Sequence, residues 1–336
     1  MATDLALVIG RFQPFHRGHG ALLEHALHAA PRVLVVLGSA PSPRQVKNPF
    51  SAEERSAVIR PSLGAEQAAR VRFATVRDYF DEPRWANAVR AAVAREGAGS
   101  VALVGFHKDE SSAYLSFFPE WRELALPRQA PIDATALRRS YFTSQGGELP
   151  ADVVAAVPPA TADFLREFRS SSHFERLRAE LAALDASREK YGTGPFVTVD
   201  ALVICASHVL LVQRGRAPGE GLWALPGGFL EGSERLLTAA IRELHEETGI
   251  VVSEAELRRV FQSVRVFDHP QRSQRGRTIT HVHHFELPGG ALPNVAGADD
   301  AQAARWFPLS TLAAMAGELF EDHYAIIDQF LHIARD

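Results

Sequence analysis

Short apolar runs alternate with stretches of helical period through the first half of the chain. Residues 5–9 (LALVI) form an apolar run that stops at Gly10, the pattern of a buried strand. A helix is predicted next over 18–29, with Leu22, Leu23, Ala26 and Leu27 on its inward face. Residues 33–37, 71–76 and 101–104 predict further strands. Ser51 and Glu54 have the spacing of a capping box that opens a helix towards Ile59, and another helix is expected over 85–94. Strands that alternate with helices predict an α/β unit with a parallel, doubly wound sheet. Ligands in such sheets sit beyond the carboxyl ends of the strands. Residues 10–19, Gly38, Asp78 and residues 105–108 all follow directly on a strand, so the chemistry of this half is expected there.

The pattern changes past the middle. Pro158 and Pro159 precede a closing helix over 161–168, serines at 170–172 interrupt it, and Phe174, Leu177, Leu181 and Leu184 recur at near-heptad spacing. That stripe either docks on the chain or pairs with a second copy. YGTGP at 191–195 reads as a hinge. The expected division is a first domain over 1–170, a helical linker over 171–192 and a second domain over 193–336. Strands are predicted over 197–205, 209–213 and 304–308. Between them lies a helix whose buried stripe is Leu237, Ile241 and Leu244, with Gly249 just past its end. Its other face carries Glu243, Glu246 and Glu247 at i, i+3 and i+4. In the last turn, where the macrodipole is negative, each such placement costs roughly 0.2–1 kcal/mol. A cation would turn that penalty into a binding site, and oxygen ligands favour Mg²⁺ first and Mn²⁺ second. A solvated acidic face is the plainer alternative.

Length and composition narrow the classes. At 336 residues the chain is long for one domain, and its 46% hydrophobic content fills ordinary cores. A formal net charge of −4 leaves no electrostatic footprint for nucleic acid or an anionic membrane, so small molecules are the expected partners. Cys205 is the single cysteine, in an apolar run, which excludes a disulfide framework or thiolate cluster and reads as core. The first apolar run is too short for a signal segment, and later ones break well before about 18 residues. A cytoplasmic protein is expected.

His16 and His19 stand at the mouth of the first helix, where backbone N–H groups and the dipole favour phosphate. Two imidazoles there can donate to a triphosphate. A zinc pair would lack a third ligand at a recognisable spacing. Neither GxGxxG nor GxxxxGK[ST] follows the first strand. The string GRFQPFHRGH, 10–19, resembles the opening motif of the HxGH nucleotidyltransferases, in the form of archaeal-type nicotinamide mononucleotide (NMN) adenylyltransferases. NPFSAEER at 48–55, Asp78 with Trp85, residues 105–121 and IDATALRRSYF at 132–142 resemble the later signatures in order. The resemblance implies a Rossmann-like doubly wound domain in which His16, His19 and Arg138 are catalytic. Gly10, Arg11, Phe12, Gly105 and Thr135 would bind substrate, with Thr135 and Arg138 on the ATP phosphates. Trp85 would stack on the nicotinamide and Asp78 would orient the nucleotide. Asp133 departs from the pattern, standing where serine is common.

In the second half the full spacing is Gly228, five residues, Glu234, seven residues, then RELHEETGI over 242–250. This resembles the Nudix box with every defined position filled. It implies an α/β/α Nudix domain that hydrolyses a nucleoside diphosphate linked to another group. Glu243, Glu246, Glu247 and the backbone at Gly227 would hold the metal, Glu243 and Glu247 would be catalytic, and Arg242 would pair with Glu234. Arg272, Arg275 and Arg277 share one loop ahead of His281 and His283. They form either an exposed basic loop or a phosphate and ribose clamp, and the segment resembles that of ADP-ribose pyrophosphatases. Asp299 or Asp300 would orient the attacking water. Together the resemblances imply a bifunctional enzyme that makes NAD and pyrophosphate from ATP and NMN, and cleaves ADP-ribose to AMP and ribose 5-phosphate. The rivals are transfer to nicotinic acid mononucleotide or another phosphorylated acceptor, and a second half that senses ADP-ribose without cutting it. A homo-oligomer remains open.

Overall fold

In the computed structural model, which describes residues 3–106, 110–126 and 132–333, the first apolar run is strand β1, Leu5–Gly10, buried from Leu5 to Ile9. Strands β2 (Arg32–Gly38), β3 (Val71–Val76), β4 (Val101–Gly105) and β5 (Arg122–Ala125) complete a parallel sheet in the order β3-β2-β1-β4-β5. Parallel neighbours need crossovers, and these contain helices α1 (Arg17–Ala29), α2 (Ala52–Ile59), α3 (Ala65–Arg70) and α4 (Glu82–Ala94). Leu22, Leu23, Ala26 and Leu27 are the buried face of α1, as their spacing demands. The Ser51 hydroxyl accepts from the Glu54 N–H and the Glu54 carboxylate from the Ser51 N–H, so the capping box forms. Strand order reverses between β1 and β4. The loops after these strands therefore border a crevice at the carboxyl edge of the sheet. Helices α5 (Ala134–Thr143), α6 (Ala151–Ala156) and α7 (Pro159–Phe168) follow.

The chain divides into two compact units, Met1–Arg178 and Ala179–Asp336. The division falls inside helix α8, Ser172–Tyr191, whose Phe174, Leu177, Leu181 and Leu184 are all buried. The stripe is thus covered by the chain itself.

The second unit is built on β6, Phe196–Cys205, a strand buried on both sides from Thr198 onward. Strands β7 (His208–Arg214), β8 (Trp223–Ala224), β9 (Gly227–Phe229), β10 (Phe261–Phe267), β11 (Thr278–Glu286) and β12 (Ala301–Pro308) join it. The order is β10-β11-β6-β7-β12, with β8 on β7 and β9 on β6. Among these described strands only β6 and β11 pair in parallel. Alternation along β6 sends Ala201 and Val203 to one face, where Ile241 and Leu244 of helix α9 (Leu236–Thr248) cover them. Helix α10 (Glu254–Val260) adds Leu257 and Val260 to that face. Leu202 and Ile204 face the other way, against Ile326 and Ile327 of helix α11, His323–Leu331. The result is the expected α/β/α layering. Cys205 is buried in its core. Among the described residues no helix is long and apolar enough to cross a membrane.

Candidate functional site

In the first unit the loop after β1 is held from three directions. The Gln13 side chain donates to the Phe50 carbonyl at 2.9 Å and accepts its N–H at 3.0 Å, which joins the first motif to the second. Buried Arg55 donates to the carbonyls of Arg11 and Gly38, both at 2.8 Å, tying the loops after β1 and β2 together. Arg138 arrives from α5 and donates to the Gln13 carbonyl at 2.6 Å and to the Thr135 hydroxyl at 3.1 Å. Burial pulls the pKa of Arg55 down to about 10, and burial followed by the charge of Arg11 does the same to Arg138. Both guanidiniums stay charged at neutral pH.

His16 caps α1, and its Nδ1 accepts the His19 N–H while the Nδ1 of His19 accepts the His16 N–H, each at 3.3 Å. The two rings stack with centroids 3.5 Å apart. With Nδ1 accepting, the proton of each neutral ring belongs on Nε2. The mouth of the helix therefore carries two ring donors. Phe12, in a left-handed conformation (φ 54°), is buried with its ring edge-on to His19 at 4.8 Å. A Cβ on Gly10 would lie 3.0 Å from that ring, so Gly10 admits Phe12, and Phe12 supports the histidine pair. Gly105 has a packing reason too, because its Cβ would meet Leu115 at 2.7 Å. Arg11 is exposed beside this loop. Asp78 accepts from the Ser39 hydroxyl at 2.7 Å. Trp85 packs against Tyr114, Phe117 and Phe118 at 5.9–6.4 Å, and Tyr114 in turn donates to the Ile9 carbonyl. Asp133 caps α5 by accepting the Thr135 N–H at 2.8 Å, the local task a serine there could also perform. Residues 107–109 of the fourth motif lie outside the described residues.

In the second unit, register places Gly227 opposite Asp200 and Gly228 opposite Val199. A Cβ on Gly228 would sit 2.5 Å from Glu243 Oε1, and one on Gly227 would sit 2.2 Å from the Val199 carbonyl and 2.7 Å from Asp200 Oδ1. The paired glycines are what let the helix acids approach the sheet. Arg242 forks to Glu234 at 2.7 and 3.0 Å and reaches Glu243 at 3.0 Å and Glu246 at 2.8 Å. The Gly227 N–H donates to Glu247 at 2.9 Å. Burial raises the Glu243 carboxyl. Burial, with Glu243 and Asp200 nearby, pushes Glu247 up to about 7. The acids are less open than a bare helix face implies: Glu246 is 48% exposed, Glu243 only 13%. Among the described residues no three His, Cys, Asp or Glu side chains converge as a finished metal cluster. The donor set is all oxygen, and the carboxyls of Glu243 and Glu247 are both raised by burial, which fits a hard divalent cation.

The three loop arginines do not share one surface. Arg272 is buried on Asp322 through two bonds of 2.8 Å and is a structural anchor, which corrects its reading as a substrate clamp. Arg277 pairs with Asp268 on the open side. Arg275 is partly buried, 3.5 Å from Glu321 and 5.9 Å from the centre of the Phe229 ring. His283 is core: burial holds its pKa down to about 4, and its Nδ1 bonds the His281 carbonyl at 3.0 Å, while His281 stays partly exposed. Asp300 is paired with Arg216. Asp299 sits at φ 50° in a loop whose Ala296 and Ala298 N–H groups bond the Thr248 and Glu247 carbonyls.

Several neighbours were not singled out by sequence. Asp200, an acid within an apolar run, is buried on Thr280, and burial raises its pKa. Arg214 lies 4.2 Å from the centre of the Phe320 ring, in the field of Arg275, Glu321, Glu247 and Asp200. Asp322, pushed up to about 6 by burial, and His323, held well below its usual range by burial, complete the layer beneath. His323 accepts the Leu225 N–H at 2.9 Å, just ahead of the glycine pair.

Comparison with known proteins finds relatives for each half of the chain. A cytidylyltransferase-like family model covers residues 7–114, and the NUDIX domain model covers 194–330. A nicotinamide/nicotinic acid mononucleotide adenylyltransferase of Acinetobacter baylyi is 36% identical over 187 residues, 55% of this chain and 96% of that protein. An ADP-ribose pyrophosphatase of Methanocaldococcus jannaschii is 35% identical over 137 residues, 41% of this chain and 73% of that protein. The crystal structure of a bifunctional NMN adenylyltransferase/ADP ribose pyrophosphatase from Francisella tularensis superposes with a TM-score of 0.89 at 35% identity, covering 98% of this chain and 99% of that one. A second structure of that type, complexed with AMP and a Mn ion, gives the same TM-score. Matched along its whole length and in both halves, the chain belongs to the bifunctional family that joins an NMN adenylyltransferase domain to a Nudix domain of ADP-ribose pyrophosphatase type.

Proposed function

We infer that the chain makes NAD and pyrophosphate from ATP and NMN with its first half, and hydrolyses ADP-ribose to AMP and ribose 5-phosphate with its second. The observation that carries this reading is that one chain holds both the His16–His19 pair at a helix mouth and the full set of box acids around Gly227. In the first half an oxygen of the NMN 5′-phosphate attacks the α-phosphorus of ATP, and the bond to pyrophosphate breaks without a covalent enzyme intermediate. The Nε2–H groups of His16 and His19 donate to the oxygens on which charge builds, and Arg138 and Thr135 hold the phosphates. Asp78 and Trp85 orient the nicotinamide end. Mg²⁺ travels with ATP as part of that substrate.

In the second half a divalent cation, Mg²⁺ or Mn²⁺, held by Glu243, Glu246 and Glu247 with the backbone at Gly227, supplies Lewis acidity to the diphosphate. Arg242 keeps Glu243 and Glu246 in place, and Gly227 orients Glu247. Arg275 and Arg214 bring positive charge to the phosphate oxygens. Asp299, Asp300 or a box glutamate takes the proton from water. Product analysis tests the whole reading: NMN with ATP should yield NAD, and ADP-ribose with Mg²⁺ should yield AMP. Faster use of nicotinic acid mononucleotide would reassign the acceptor. ADP-ribose bound but uncut would make the second half a sensor.

A further inference from the structure

Two neighbouring acids at the start of α11 are both buried yet bonded differently. Both oxygens of Asp322 are taken by Arg272, a closed pair. Glu321 uses only one: Oε1 accepts from the Ser273 hydroxyl at 2.8 Å and the Gln274 N–H at 3.0 Å. Its Oε2 is buried without a hydrogen bond, 3.5 Å from Arg275 Nη2. Buried acceptors are rarely left so. Glu321 also holds a left-handed backbone conformation, φ 45°, that residues with a side chain seldom adopt, and such outliers gather at working sites. The strain and the half-used carboxylate are explained together if the second oxygen acts on the charge of Arg275 and not as structural glue.

The same loop shows what is being aimed. Arg275 Nε leans on the Ser273 hydroxyl at 3.4 Å, the group that bonds Glu321. Its guanidinium lies 5.7 Å from the centre of the Phe320 ring, and Arg214 lies 4.2 Å from that ring. Two guanidiniums thus meet beside one buried ring. Like charges so placed repel each other, and Glu321 supplies one counter-charge to them.

We propose that Glu321 is a positioning residue of the hydrolytic half: through its free oxygen and Ser273 it aims Arg275, beside Arg214, at the diphosphate of the substrate. This rests on the reading of the second half as a nucleoside diphosphate hydrolase. Glu321→Gln keeps an acceptor for Ser273 and Gln274 but removes the charge that faces Arg275. Steady-state kinetics with ADP-ribose and saturating Mg²⁺ on the full chain test it, in wild type, Glu321→Gln, Arg275→Ala and the double variant. The expected result is a KM raised about tenfold in each single variant, kcat within about twofold, and a double variant no worse than Arg275→Ala. An unchanged KM in folded Glu321→Gln, or additive losses in the double variant, would overturn it. If Glu321→Gln does not fold, Ser273→Ala decides in its place, with a raised KM expected and an unchanged one contradicting. A wild type that leaves ADP-ribose uncut would sink the hydrolase reading and this assignment with it. A cutting wild type with an indifferent Glu321→Gln sinks the assignment alone.

Discussion

The two phosphate-handling sites differ in the charge they present before any ligand arrives. Around β1 the first unit gathers Arg11, Arg138 and two imidazoles whose Nδ1 atoms are already occupied by backbone N–H groups. Around β9 the second unit gathers Glu243, Glu247 and Asp200, all with carboxyls raised by burial. The first is built to receive an anion directly. On the proposed reading the second needs a cation among its buried carboxylates before it too receives a diphosphate. The first site lies at the parallel pairs of β1 and the second at the antiparallel pair of β6 and β9, but strand direction brings no net charge to either. What differs is the side chains the neighbouring helices supply: α1 brings its histidine cap to the mouth, α9 brings acids at its closing turn.

This contrast can be broken in several ways. The largest effect is expected from Glu247→Gln, which removes a charged oxygen from the second site and should lower ADP-ribose hydrolysis by at least about 10³-fold. Steady-state rates at saturating Mg²⁺ check it, and a loss below tenfold would contradict the metal role. Arg272→Ala should act on stability. It strands Asp322 as a buried charge, and such losses cost about 3–5 kcal/mol; a denaturation midpoint unchanged from wild type would return Arg272 to the substrate clamp. His16→Ala or His19→Ala should lower NAD synthesis by about 10²-fold, the usual cost of one preorganised donor, with wild-type rates in both counting against the pair.

The smallest effect is in pH. The Glu247 carboxyl is raised from 4.5 to about 7 in the metal-free fold, so the folded state holds that proton more tightly than the unfolded chain does. Its contribution to stability is therefore fully present below pH 4.5 and is lost as pH rises towards 7. Melting temperatures in chelator should show Glu247→Gln gaining on wild type across that window, and Mg²⁺ should raise wild type at its upper end. A constant gap between the two proteins would contradict the assignment.

Much of this was legible in sequence where a signal is local. The inward face of α1, the Ser51 box, and the helix that ends at Gly249, left-handed at φ 56°, all follow from spacing within a dozen residues. The box acids and their glycines were legible for the same reason. What escaped depends on distant partners. Arg272, Arg275 and Arg277 look alike in one loop, and only pairing with Asp322, 50 residues on, separates the first from the others. Glu321 carries no local mark, since its strain and its half-used carboxylate exist only once the loop at Ser273 is packed against it. Strands β8 and β9, of two and three residues, are too short to show a period.

The central claim is that two oppositely charged sites, in separate compact units, perform separable reactions. The most direct test measures both activities on the same preparations of wild type, His16→Ala and Glu247→Gln. The account predicts that His16→Ala loses NAD synthesis and keeps AMP formation from ADP-ribose, while Glu247→Gln does the reverse. Loss of both activities in either folded variant, or retention of both in each, would contradict it.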